Sequence, residues 1–221
     1  MFENGYVSVL KGTWKIRIHK VTDIPITYGG KALHNIMNTL PAVLATYLYR
    51  HITIDDIKQA LQTFIPSPTQ TPGRLNLFTF KKCQLMLDFA HNPAGLNLLC
   101  DFLNRMDATN RVGIICGTGD RRDNDIKELG RIAGKNFDDI IIRQDNSLRG
   151  RTADEIIGLL MEGINETKPT HLTVTVLPTE KEAIMHAYKN AKQGSLITLL
   201  ADHVDESLEF VKKLKEEEDK V

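Results

Sequence analysis

The spacing of hydrophobic and polar residues changes style near residue 70. Before that point, residues 5–9 and 14–18 flank a Lys11-Gly12 turn, and Ile16 and Ile18 alternate with Arg17 and His19, the period-two pattern of a half-buried strand. Two helices are predicted next. Residues 34–49 set Ile36, Leu40, Val43, Leu44 and Tyr47 at helical spacing, and residues 54–64 do the same with Ile57, Ala60, Leu61 and Phe64. Residues 66–73 then carry three prolines and a glycine, which stops helix and marks a linker. The expected organisation is a smaller α+β piece over residues 1–70 and a second domain over residues 71–221.

Past the linker, short apolar runs at 85–89, 112–116, 139–142, 172–176 and 196–200 alternate with amphipathic stretches. That rhythm predicts an α/β domain built on a mostly parallel sheet covered by helices. Residues 75–80 precede the first run by only the Lys81-Lys82 turn, too little chain for a crossover, so they are expected to pair antiparallel at an edge. Residues 189–194 and 206–219 read as surface helix and solvated tail, with the charge-rich 212–220 stretch as a solvated face.

Composition narrows the function classes. With 221 residues, 42% hydrophobic, and 28 Lys+Arg against 28 Asp+Glu, the chain is a globular protein with no formal net charge. No basic stripe offers a footprint for nucleic acid or an anionic membrane, so small molecules or proteins are the expected partners, a second copy of the chain among them. Cys83, Cys100 and Cys116 form no CxxC pair and no zinc-ligand spacing, so no metal site is expected from them, and they read as reduced thiols of a cytoplasmic protein. The first residues lack a signal-peptide pattern, and no apolar run reaches the roughly 18–20 residues that span a bilayer.

Ligands of open parallel sheets bind beyond the carboxyl ends of the strands, and those positions are polar here. The runs end in Asp88-Phe89-Ala90-His91-Asn92-Pro93, in Gly117-Thr118-Gly119-Asp120-Arg121-Arg122-Asp123, in the 143–151 stretch with Asp145, Asn146, Arg149 and Arg151, and in Ala201-Asp202-His203. Asn92-Pro93 suits a helix start. Asp88 suits either ribose hydroxyls or a cation, or equally a bond to nearby backbone. The Gly117-Thr118-Gly119 loop with Arg121 and Arg122 could hold an anion, but no Gly-x-x-x-x-Gly-Lys-Ser/Thr phosphate loop occurs anywhere. Asn35 and Asn38, three apart, share a helical face, and either could be a cap.

Taken together, Gly30-x-x-x-His34-Asn35-x-x-Asn38, Pro72-Gly73-Arg74, Asp88-Phe89-Ala90-His91-Asn92-Pro93 and Gly117-x-Gly119-Asp120-Arg121-Arg122-Asp123, in this order, resemble the second half of the Mur ligase family. The stretches 72–78, 119–123 and 148–151 are similar to the carboxyl-terminal region of the cyanophycin synthetase family. The resemblance implies the tail of a Mur-type central, ATP-binding domain followed by a Rossmann-like carboxyl-terminal domain. It implies an ATP- and Mg²⁺-dependent amide ligase that phosphorylates a carboxylate and passes the acyl group to an amine, here arginine onto aspartate side chains of a polymer. Asn38 would contact adenine with Asn35 as its motif neighbour, Arg74 the phosphates, Asp88 the ribose, and His91 would lie close to the same nucleotide. Asp120, Arg121, Arg122, Asp145, Asn146, Arg149 and Arg151 would bind substrate, with Asp145 facing a cationic amino acid. The phosphate-gripping lysine and the Mg²⁺ ligands would come from upstream ligase domains. The alternative is a non-catalytic amino-acid- or nucleotide-binding module that keeps the fold. A receiver-type signalling domain would leave residues 1–70 and the arginine-rich loops without a role.

Overall fold

The computed structural model describes residues 1–144, 148–167 and 172–220. The chain divides into two compact units, Met1–Pro66 and Ser67–Val221. In the first, strands β1 (Phe2–Glu3), β2 (Tyr6–Lys11) and β3 (Trp14–Lys20) form an antiparallel sheet in that order, followed by helices α1 (Leu33–Leu48) and α2 (Ile54–Thr63). The β2–β3 hairpin turns where the Lys11-Gly12 signal predicts. Strand β1 is too short to carry a period; the Asn4-Gly5 turn, both residues at positive φ, folds it back onto β2. Val7, Val9 and Ile18 of the sheet pack with Ile36, Val43 and Ile57 of the helices. Thr53 opens α2 with a capping box, its hydroxyl accepting the Asp56 N–H while the Asp56 carboxylate accepts the Thr53 N–H at 2.8 Å.

The second unit is the predicted α/β fold. Its strands are β4 (Asn76–Thr79), β5 (Cys83–Asp88), β6 (Asn110–Ile115), β7 (Asp139–Arg143), β8 (Thr173–Leu177) and β9 (Ser195–Leu200), in the order β4-β5-β9-β6-β7-β8. All pairs are parallel except β4 with β5, the antiparallel edge that the two-lysine turn demands. The helices are α3 (Pro93–Leu103), α4 (Asp123–Asn136), α5 (Ala153–Thr167), α6 (Glu180–Lys189) and α7 (Val204–Asp219). One face of the sheet, with Leu85, Leu87, Val112, Ile114, Ile197 and Leu199, packs on α6 and α7 through Ala183, Ile184, Leu208 and Val211. On the other face the Phe137 ring, at the end of α4, lies so close to Gly113 that an added Cβ would stand 2.5 Å from it.

Two expectations fail in the last quarter. The helix placed at 189–194 lies upstream, at Glu180–Lys189, because the side chains able to bury a face are Ala183, Ile184 and Ala187, and Thr179 caps its start. Residues beyond it turn back to β9 through Gly194 at φ +81°. The closing charged run is also more than a solvated face. Ser207, Leu208, Val211 and Leu214 of α7 are buried, and the Glu218 carboxylate, 8% exposed, accepts the Lys81 N–H and the Tyr188 hydroxyl.

Candidate functional site

Because β5, β9, β6 and β7 run parallel, their carboxyl ends share one rim of the second unit. At the β5 end, Asp88 is half-buried, and its Oδ2 accepts the Leu75 N–H at 2.9 Å. Burial pushes its carboxyl above the ordinary value, opposed by that N–H and by the Arg74 charge. Arg74 is exposed, its guanidinium 5.4 Å from the centre of the Phe89 ring. The Phe89 and His91 rings lie 4.7 Å apart, and His91 Nδ1 donates to the Phe89 carbonyl at 3.0 Å. Arg74, Asp88 and His91 therefore belong to one cluster. Asn92 takes the structural role its type allows, capping α3 by accepting the Gly95 N–H at 2.8 Å.

A second cluster joins the loops after β6 and β7. Arg149 donates to Asp120 at 2.5 Å, which holds the Asp120 carboxyl below the usual range. Arg151 spreads its fork over the loop opposite: Nε to the Gly119 carbonyl at 3.0 Å, Nη2 to the Arg121 carbonyl at 3.0 Å, and Nη1 to the Asp123 carboxylate at 2.6 Å. Arg122 pairs with Asp125 in the first turn of α4. The structure thus brings Asp120, Arg121, Arg149 and Arg151 together beside Arg122, with Arg149 spent on Asp120, Arg151 on the loop and Asp123, and Arg122 on Asp125. Asp145 and Asn146 lie outside the described residues.

Asn35 and Asn38 belong to the first unit. Both line a groove of about 610 Å³ between α1 and α2, walled by Ile24, Val43, Ile57 and Phe64. Asn38 is exposed, while Asn35 donates its amide to the Ile26 carbonyl at 2.8 Å. Among the described residues no group of three or more His, Cys, Asp or Glu side chains could hold a metal ion. Among them, too, no helix is long and apolar enough to cross a membrane.

Sequence reasoning passed over an ion pair at the same rim. Arg143, the last residue of β7, is 4% exposed and sets its Nε 3.0 Å from the Glu180 carboxylate, beside a 230 Å³ pocket that Ser207 and His203 also line. An arginine closing an otherwise apolar strand was the only available signal.

Residues 73–203, which run from the Arg74 turn through all the strand ends just described, match the family described as Mur ligase, glutamate ligase domain. This chain belongs to that family. Among curated Mur ligase relatives, the cyanophycin synthetase of a Synechocystis species is 37% identical over 215 residues, 97% of this chain and 24% of that protein. The chain therefore spans about a quarter of the length of the cyanophycin synthetases it matches. Among solved structures, the bifunctional folylpolyglutamate synthase/dihydrofolate synthase from Yersinia pestis superposes with a TM-score of 0.66 at 18% identity, over 96% of this chain and 45% of that one. The folylpolyglutamate synthase of Mycobacterium tuberculosis, solved with ADP and AMPPCP, gives a TM-score of 0.58 at 19% identity, over 76% and 37%. These likenesses establish the shared fold.

Proposed function

We propose that this chain is the carboxyl-terminal portion of an ATP-dependent amide ligase of the cyanophycin synthetase kind, joining arginine to aspartate side-chain carboxyls of a polymer through an acyl phosphate. The observation that carries the reading is the Arg74, Asp88 and His91 cluster, placed at the sheet rim with an exposed guanidinium beside the Phe89 ring, which the His91 ring meets at a tilt. Identity to a cyanophycin synthetase over 97% of the chain supports the choice of ligase. In this reading Arg74 meets the nucleotide phosphates, Asp88 lies at the ribose, His91 lies close to the same nucleotide, and Asn38, with Asn35 as its motif neighbour, meets the adenine. Asp120, Arg121, Arg122, Arg149 and Arg151, with Asp145 and Asn146 between them in sequence, receive the incoming amino acid and the polymer's carboxylates. ATP supplies the leaving group that activates the acid. These 221 residues contain no phosphate loop, so the lysine that grips the phosphates and the Mg²⁺ ligands are assigned to upstream ligase domains, and the chain by itself should not turn over.

The test supplies this chain within a polypeptide that includes the phosphate loop and follows arginine-dependent phosphate release. Arg74→Ala should reduce the rate by at least about a hundredfold with an unchanged melting temperature. Near-parental turnover would sink the nucleotide assignment. Binding of ADP or arginine with no turnover, even in that polypeptide, would favour a non-catalytic module.

A further inference from the structure

We propose that Asn76 is the positioning residue for Arg74: its buried amide locks the 71–76 turn so that one guanidinium is presented to an anionic ligand in a fixed place. The inference rests on the reading of Arg74 as a nucleotide contact.

Asn76 is the first residue of β4, 1% exposed, and its backbone sits opposite Leu87 in the sheet. Its side-chain amide has almost no water to bond with, and its capacity is spent on the turn before it. Oδ1 accepts the Gly73 N–H at 2.7 Å, and Nδ2 donates to the Thr71 carbonyl at 2.9 Å and, at the 3.5 Å limit, to the Arg74 carbonyl. The other flank of the turn is pinned from β5. The Leu75 N–H goes to Asp88, and the Gly73 carbonyl accepts the Phe89 N–H at 2.9 Å.

Those restraints force an unusual backbone. Gly73 stands at φ +69° and Leu75 at φ +49°, a left-handed conformation that a leucine adopts only when its surroundings hold it there. Gly73, Leu75 and Asn76 are all buried while Arg74 between them is exposed, so within residues 73–76 only Arg74 carries its side chain outward. A guanidinium on a backbone fixed at both ends loses little order when an anion arrives, which is how a residue one shell away raises affinity.

The experiment is a double-mutant cycle on ADP affinity, read by NMR titration of the 221-residue protein, with amide exchange at Gly73 and Leu75 as a monitor of the turn. Asn76→Ala is expected to weaken ADP by about tenfold and to speed exchange at both amides, yet to change nothing further in an Arg74→Ala background. Equal loss in both backgrounds would show a merely structural role and overturn the proposal. Unchanged ADP affinity in Arg74→Ala alone would instead remove the nucleotide reading on which the proposal stands. If Asn76→Ala fails to fold, Asn76→Asp serves: it keeps the acceptor for Gly73 and turns the donor to Thr71 into a repulsion, so the same cycle applies.

Discussion

The buried Arg143 guanidinium and the half-buried Glu180 carboxylate form an ion pair, 3.0 Å from Nε to Oε2, at the carboxyl end of β7, the fifth of the six strands across the sheet. Arg143 also donates to the Leu200 carbonyl at 3.3 Å, and Glu180 accepts the Ser207 hydroxyl, so the pair ties β7 and β9 to α6 and α7. Removing Glu180 leaves the Arg143 charge, 4% exposed, without its carboxylate and away from water. Glu180→Met is expected to cost about 3 kcal/mol in urea unfolding, and Glu180→Met with Arg143→Met to recover most of it. A single substitution costing as little as an exposed pair would show that water reaches the site.

Helices α4 and α5 meet backbone to backbone. A Cβ added at Gly163 would stand 1.9 Å from the Lys127 carbonyl oxygen, and one at Gly130 would stand 2.1 Å from that of Leu160, whereas Gly158, in the same helix as Gly163, faces open space. Gly163→Ala should therefore destabilise by about 3 kcal/mol as the helices are forced apart. Gly158→Ala should stabilise by about 1 kcal/mol through helix propensity alone. Thermal melts of the two variants against the parent give opposite signs if the contact is as close as described.

Asp88 makes part of the stability pH-dependent. Burial raises its pKa above the ordinary 3.8, so the folded state holds the proton more tightly than the unfolded one. Stability then falls as pH rises from that ordinary value through the raised one, and the loss persists at neutrality. Asp88→Asn keeps an oxygen for the Leu75 N–H and removes the charge. Its melting temperature relative to the parent should be higher at about pH 7 than at about pH 4. A difference that does not change with pH would mean Asp88 ionises freely.

The fork of Arg151 and the pair of Arg149 should separate in their effects. Arg151→Lys cannot reach two carbonyls and a carboxylate at once, so amide exchange at Arg121, whose N–H bonds the Thr118 carbonyl, should accelerate nearly as much as in Arg151→Ala. Arg149→Ala should leave that exchange unchanged while the Asp120 carboxyl, followed by NMR, returns upward toward its ordinary value.

Much of this architecture could be read from local pattern. Five apolar runs placed the parallel strands within a residue or two, and the brevity of the Lys81-Lys82 turn forced β4 antiparallel. Period alone misplaced α6, because residues 189–194 are polar enough for a surface helix but hold no face to bury. What stayed hidden depends on the segment opposite. Nothing local marks Gly163 as touching Lys127, Arg143 as meeting Glu180, or Asn76 as gripping the turn before it. Likewise Arg151 reads from sequence as a substrate contact, and only the position of the Gly119–Asp123 loop shows that its donors bond that loop.

The position of β9 has a consequence for how the protein is made. In chain order it follows the other five described strands of its sheet, yet it pairs with β5 on one side and β6 on the other. A nascent chain that has emerged as far as β8 therefore holds two strands with open edges and a gap between them. Such edges invite pairing with other chains, and closing the gap joins segments more than a hundred residues apart, Cys83 with Ser195, which makes it a slow step. A ribosome stall or a premature stop ahead of residue 195 would take away the middle of the sheet and leave its edges, producing a sticky remnant in place of a shortened domain.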